Sequence, residues 1–292
     1  MRPAHALTVD VEDWYHVENY RSVVPPETWD DREPRLDRNV DRLLGIFEGA
    51  GVKATFFVLG VAAERHPEAV RRIARAGHEI ASHGWSHDLV YRQSPALFRE
   101  ETRRSKALLE DLLGARVAGY RASTFSVTER SLWALDVIAE EGFSYDSSIA
   151  PLRHDRYGIP DAPPDPHVRT VAGGRTLVEF PVSSFRFLGM RLPLGGGFFR
   201  LFPLGAVLRG LARYEARGVG GGIYLHPWEI DPGQPRPRGG SFLGRWRNSD
   251  GLGRTESRLR RLLERASFAP MGEILARAFP AEMAWPKATV EQ

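Results

Sequence analysis

The sequence predicts an α/β protein built as a distorted or incomplete (β/α) barrel with a C-terminal helical extension. Three observations lead there. Strand-like and helix-like segments alternate through most of the chain, which argues for a parallel sheet covered by helices. No G-x-G-x-x-G or G-x-x-x-x-G-K-[ST] phosphate loop and no G-x-S-x-G elbow is present, so an open doubly wound sheet with a nucleotide crevice is disfavoured. Five reactive side chains, Asp10, His83, Arg121, Asp146 and His226, fall at or just past the C-terminal ends of predicted strands. A β/α barrel gathers its active site at that face.

The elements follow in order. Leu7, Val9 and Val11 alternate with polar neighbours in a first strand that runs into the acid-rich stretch Asp10-Val11-Glu12-Asp13. A helix over Leu36–Gly49 carries Leu36, Val40, Leu43, Leu44 and Phe47 on one face. ATFFVLG (54–60) is a buried-strand run, and 67–76 is a helix opened by Pro67 and closed by Gly77. HEIASH (78–83) is the third strand, with His78 at its start, and the long helix Pro95–Leu113 stops at Gly114. ARVAGYR (115–121) and FSYD (143–146) are strands on either side of a helix over 129–141. Residues 151–175, rich in Pro, Asp and Gly, are expected to form a long loop. TLVEFPV (176–182) and GGIYLH (221–226) are late strands flanking a helix over 203–217. The run GGGFFR (195–200) reads equally as a flexible substrate-side loop or a plain turn. Beyond Glu229 the pattern changes to the loop DPGQPRPRGG and a basic amphipathic helix over 254–266. The expected division is a catalytic domain over 1–230, its own C-terminal region starting near 151, and an extension over 231–292 packed on the barrel.

Composition narrows the function classes. At 292 residues and 42% apolar content the chain is an ordinary globular one with ample core. The absence of cysteine excludes a thiol nucleophile, a disulfide scaffold and cysteine-ligated zinc. No apolar run approaches the ~18 residues of a membrane span, and the first strand follows Met1 too closely for a secretory h-region, so a cytoplasmic protein is expected. Net charge is +3, with Lys53, Lys106 and Lys287 the only lysines. Codon bias accounts for the arginine excess as well as nucleic acid does. The basic cluster over 236–247, interleaved with Phe242 and Trp246, is weak support for a nucleic-acid partner, and none is expected.

The chemistry is concentrated at the strand ends. HGWSH (83–87) places two imidazoles at i and i+4, which on a helical turn point the same way, as two metal ligands must. HEIASH has one residue too many for a zincin H-E-x-x-H. Two histidines and one carboxylate leave open positions on a divalent ion, the arrangement of a catalytic site. Such an ion acidifies water and polarises a carbonyl, and a second, unligated carboxylate must take the water's proton. The first strand can supply both acids. Arg121, in GYRAST, suits a bidentate contact to one of them. His226, in YLHPW, suits protonation of a leaving amine, with Asp146 to orient it. Trp14, Tyr15, Trp85 and Trp228 flank these motifs and are candidate walls of a substrate groove.

Taken in order, TVDVEDW, SHGWSH, GYRASTFS, FSYDSS and YLHPWEI resemble the motifs of the NodB-type polysaccharide deacetylases of carbohydrate esterase family 4. The resemblance runs from about Leu7 to Trp228, and SHGWSH is its most specific piece. The DVEDWYH opening, LPLGGGFFRLFP (192–203) and the tail with Phe268 and Met271 look most like the exopolysaccharide-associated subgroup with an extra C-terminal region of the DUF3473 kind. The resemblance implies a distorted (β/α) barrel and metal-dependent removal of N-acetyl groups from the amino sugars of a glycan. It makes Asp10 the general base, oriented by Arg121, and His83 and His87 metal ligands. His226 becomes the acid, with Asp146 its partner, and backbone near Thr124 and Phe125 an oxyanion support. The metal is expected to be Zn2+, with Co2+, Mn2+ or Ni2+ as alternatives. The third ligand is left between two acids: strand alternation puts Glu12 beside Asp10, whereas Asp13 has the shorter side chain the family uses and is preferred. Two other functions compete: hydrolysis of a C–N bond in a small cyclic amide, as in allantoinase-like relatives of the fold, and non-catalytic carbohydrate binding. Substrate identity and oligomeric state are not legible.

Overall fold

The computed structural model describes residues 3–187, 189–237 and 248–284. Most of the basic cluster over 236–247 therefore lies outside the described residues. The central sheet runs in the order β10-β1-β2-β3-β4-β5-β7-β6. Its members are β1 (His5–Val11), β2 (Thr55–Val58), β3 (Glu79–Ser82), β4 (Gly119–Tyr120), β5 (Tyr145–Asp146), β6 (His167–Thr170), β7 (Thr176–Glu179) and β10 (Gly222–Leu225). All neighbours are parallel except β6, which lies antiparallel on β7. No ladder joins β10 to β6 among the described residues, so the sheet curls into an incomplete barrel, as the sequence predicts.

Helices α1 (Leu36–Gly49), α2 (Gly60–Arg65), α3 (Pro67–Arg75), α4 (Pro95–Leu113) and α5 (Trp133–Glu140) wrap the outside. Local sequence sets their ends. The Ser94 hydroxyl accepts the Leu97 N–H at 3.2 Å, Pro95 occupies the first turn of α4, and Gly114 ends it at φ 60°. Because β1 and β2 are covered on both faces, all their side chains are buried, the polar His5, Thr8, Asp10 and Thr55 among them.

The second half departs from expectation in three places. The stretch expected to be a loop over 151–175 contains β6. A hairpin of β8 (Ser184–Phe187) and β9 (Met190–Pro193) forms a separate two-stranded sheet. GGGFFR is neither loop nor turn but the start of α6 (Gly196–Leu201), which precedes α7 (Leu204–Glu215). After β10 come α8 (Leu252–Leu263), β11 (Phe268–Ala269), α9 (Met271–Ala278) and α10 (Pro280–Met283). β11 pairs with the start of β1, and α9 then closes the N-terminal end of the barrel. Met271 and Leu275 pack there with Ala6, Phe57, Ala81, Tyr145, Val178 and Phe180.

Candidate active site

Parallel strands bring their C-terminal ends to one face, and there a cavity of about 520 Å³ opens. Asp10 is the penultimate residue of β1; Glu12 directly follows that strand, His83 follows β3, Arg121 follows β4 and His226 follows β10. The ladder sets these side by side. Ser82 registers with Tyr120, so His83 and Arg121 leave the sheet together, and the His83 imidazole Nδ1 meets the Arg121 carbonyl at 2.8 Å. With Nδ1–H donating to that carbonyl, the lone pair of Nε2 is free.

Glu12, His83 and His87 lie with their ligand atoms within 4.8 Å of one another, all buried. Glu12 Oε2 stands 2.7 Å from His87 Nε2. Burial opposes ionisation of Glu12, but His87, His226 and His83 together hold its carboxyl well below the usual range. Burial lowers His83 to about 4, so its ring is neutral at ordinary pH. An ionised carboxylate with a neutral imidazole is the donor state a divalent ion requires. The Glu12 Oε2 and His87 Nδ1 atoms have no hydrogen-bond partner among the described residues, although both are buried. An ion bound through Glu12 would satisfy the first, so these residues fit a metal.

The HGWSH segment reaches this geometry without the expected helical turn. It is a loop in which Gly84 (φ 76°) and His87 (φ 59°) both adopt left-handed backbone. Gly60 N donates to Gly84 O at 2.8 Å and Val61 N to Trp85 O at 3.1 Å, which holds the loop against α2.

Asp13 is a correction. Its Oδ1 accepts Trp14 N (2.8 Å), and its Oδ2 accepts Arg35 N (2.6 Å) and Leu36 N (3.0 Å). It ties the end of β1 to the first turn of α1, and it is Glu12 that the structure brings to the histidines. Burial raises the Asp13 carboxyl, against the lowering effect of those three N–H groups.

Arg121 sits where it can orient Asp10, by one contact rather than a bidentate pair. Its Nη1 donates to Asp10 Oδ1 (2.6 Å) and Thr8 Oγ1 (2.8 Å), and its Nη2 to Ser147 Oγ (3.1 Å). Phe57 lies beneath the guanidinium, 4.0 Å from ring centroid to Cζ. Asp10 Oδ2 remains open to the cavity, 3.9 Å from His226 Nε2.

Asp146 is a second correction. Its Oδ1 accepts Ser148 Oγ (2.6 Å) and its Oδ2 Ser148 N (2.9 Å), and it stands in register with Glu179 on β7. His226 is held instead by Glu229, whose Oε1 accepts from Nδ1 at 2.6 Å and from the His226 backbone N–H at 3.1 Å. Sequence reasoning missed Glu229; the signal was the H-x-x-E spacing, which builds a capping box over the short 3-10 turn Pro227–Ile230. Burial lowers the basicity of His226, but Glu12, Glu229 and Asp10 outweigh it and raise the ring to about 9.

The aromatic candidates divide. Trp228, Thr124 and Phe125 line the cavity, and the Trp228 ring stacks on His226 at 5.0 Å between centroids. Trp14 and Tyr15 instead pack in a buried cluster with Trp29 and Tyr20. Trp85 is buried over Gly60, where an added Cβ would come within 2.4 Å of the indole, and it carries the Arg104 guanidinium at 3.5 Å. These three hold the frame of the site and do not line it. Tyr157 and Tyr224, not singled out from sequence, also line the cavity, as does Phe198 of the GGGFFR run.

Residues 27–140 match the polysaccharide deacetylase family, and residues 147–276 match a domain of unknown function, DUF3473. A peptidoglycan deacetylase of Helicobacter pylori is 31% identical over 110 residues, which are 38% of this chain and 36% of that protein. The match thus spans little more than a third of the relative's own length. A Mycobacterium smegmatis crystal structure described as a polysaccharide deacetylase superposes with TM-score 0.64 at 24% identity, covering 100% of this chain and 94% of that one. Puue allantoinase superposes with TM-score 0.62 at 17% identity, over 96% and 92% of the two chains. At these identities the structural likenesses speak for the fold alone. The chain thus pairs a stretch similar to the polysaccharide deacetylase family with a stretch similar to DUF3473.

Proposed function

We propose that this protein is a metal-dependent hydrolase that removes N-acetyl groups from amino sugars of a polysaccharide or its oligosaccharide precursor, in the making or modification of an exopolysaccharide. The observation that carries the reading is the convergence on one cavity of a metal-fitting triad, an arginine-held carboxylate and a glutamate-held imidazole. The Helicobacter relative supports the reaction class.

Glu12, His83 and His87 would hold a divalent cation, zinc before cobalt, manganese or nickel, which when bound polarises the acetyl carbonyl and acidifies a water. Asp10, with Oδ1 fixed by Arg121, takes the proton of the attacking water at Oδ2. The water oxygen bonds to the acetyl carbon, the C–N bond breaks, and His226 Nε2 delivers a proton to the departing amine. Acetate and a free amino sugar result. The Phe125 N–H already donates to Ala122 O at 3.0 Å, so the oxyanion support falls to the Thr124 N–H, in a turn where both residues have positive φ. Phe125, Tyr157, Tyr224 and Trp228 supply the apolar surface against which a pyranose ring packs, which favours a glycan over a small cyclic amide.

Acetate release from N-acetylglucosamine oligomers tests the proposal. Release is expected with metal-loaded protein, and is expected to disappear on chelation and in His83→Ala. Failure of the metal-loaded protein to release acetate from any N-acetylated glycan would overturn it.

A further inference from the structure

The polysaccharide deacetylase match ends at residue 140, yet His226 and the groups that hold it belong to the DUF3473 region. His226 is not held by Glu229 alone. Glu229 is fully buried, and its second oxygen, Oε2, accepts from Arg200 Nε at 2.6 Å. Arg200 projects from α6, is itself buried, and donates through Nη1 to the Asp250 carbonyl at 2.5 Å, just ahead of α8. Gly251 (φ 78°) lets that segment approach closely, since an added Cβ would lie 3.3 Å from Arg200 Cβ. Trp228 fills the space between, with Arg200 Cζ 5.5 Å from its ring and His226 stacked on it.

The consequence is geometric. A buried carboxylate with one free oxygen can turn and present either oxygen to its neighbour. With Oε2 occupied by an arginine that is anchored at its far side, only Oε1 faces His226. Nδ1 is the hydrogen-bonded nitrogen, 2.6 Å from that fixed oxygen, and Nε2 is the one turned to the cavity, 3.4 Å from Glu12 and 3.9 Å from Asp10. We infer that Arg200 is a positioning residue of the active site: by fixing Glu229 it holds His226 with Nε2 directed at the substrate, so that the DUF3473 region completes the catalytic centre instead of decorating it. The inference rests on the proposed deacetylase reading for its kinetic consequence, but not for its structural one.

The test uses the full chain with Arg200→Met, which keeps bulk and removes charge, and Arg200→Lys, which keeps charge and loses the fork. Arg200→Met is expected to lower kcat on N-acetylated oligosaccharides about 10- to 100-fold, the range seen when a group behind a catalytic residue is removed. KM and bound metal are expected to stay near wild type, and Arg200→Lys to recover part of the loss. In histidine-labelled protein, the Nδ1–H proton of His226, assigned by its absence in His226→Gln, should lie far downfield. It should move upfield or broaden in Arg200→Met and return partway in Arg200→Lys. A folded Arg200→Met with wild-type kcat and an unmoved His226 signal overturns the inference. Should Arg200→Met not fold, Arg200→Lys decides, and an unmoved signal with unchanged kcat overturns it equally. Should the wild type release no acetate, the deacetylase reading falls, while the resonance comparison still decides the role of Arg200.

Discussion

The two ends of the barrel each bury a carboxylate, and the two acids are treated in opposite ways. At the N-terminal end, Glu79 accepts Thr55 Oγ1 (2.5 Å), Tyr145 Oη (2.9 Å) and the Gly272 N–H of α9 (2.9 Å). Both oxygens are satisfied, and burial raises its carboxyl despite those partners. At the C-terminal end, Glu12 is held far below the usual range by imidazoles, and among the described residues its Oε2 meets only His87 Nε2, at 2.7 Å and without hydrogen-bond geometry. Burial of an acid therefore does not mark function. An acid that is buried, ionised and left unsatisfied toward a cavity does.

That contrast is broken most severely at Glu12. Glu12→Ala is expected to abolish metal binding by titration and with it acetate release. Asp13→Ala, one residue on, should still bind metal. It should lose stability instead, about 1–3 kcal/mol in a denaturant melt, because the Trp14 N–H and two N–H groups at the start of α1 lose their acceptor. Equal loss of metal in both variants would erase the distinction.

Glu79→Ala sharpens the same comparison from the other end. It strands two hydroxyls and the first turn of α9, and should cost about 2–4 kcal/mol of stability. Turnover per folded molecule should not change, since Glu79 is at the face opposite the cavity. A specific loss of kcat in fully folded Glu79→Ala would show that the two ends are coupled.

The rim of the cavity gives a smaller effect. Trp228→Phe should raise KM for a glycan severalfold, because Trp228 lines the cavity and stacks on His226. Trp85→Phe should lower thermal stability and leave KM unchanged, because its indole fills the space over Gly60. Steady-state kinetics beside a melting curve separates the two.

Sequence punctuation carried most of the fold. Pro67 and Gly77, or Ser94-Pro95 and Gly114, bracket helices to within a residue, since capping is local chemistry. The two-residue strands β4 and β5 and the hairpin β8–β9 were lost or overextended, because pairing depends on partners distant in the chain. The candidate site followed the same line. The strand ends were legible, and so was the His83–His87 pair, though it is set by two left-handed residues and not by a helix. Period-two alternation pointed to Glu12, whereas the preference for Asp13 followed side-chain length and missed the backbone N–H groups that claim it. Asp146 was placed correctly at its strand end and given the wrong partner. Only register shows that Glu179 stands opposite it. Trp14, Tyr15 and Trp85 adjoin the motifs in sequence, but their ring size sends them into the core.

The Asp146–Glu179 pair yields the subtlest prediction. Ile149 N donates to Glu179 Oε1 at 3.2 Å, while among the described residues Oε2 has no donor if both acids are ionised. One proton between the two carboxyls supplies it, and burial together with the neighbouring charge raises Glu179 well above its ordinary 4.5. Asp146 is raised as well, by burial. Above about pH 4.5 the folded protein thus keeps a proton that the unfolded chain has released. The native state binds more protons, so this contribution is fully present below the unfolded value and declines as pH rises through the native one. Glu179→Gln replaces the shared proton with a permanent N–H donor toward Asp146. Its stability should fall less steeply than that of wild type between mildly acid and alkaline pH, by about 1.4 kcal/mol for each pH unit over which the wild-type pair holds its extra proton. Parallel denaturation curves for the two proteins across that range would mean that the pair is ionised in the folded state, and that a doubly charged buried site lies between the two ends of the barrel.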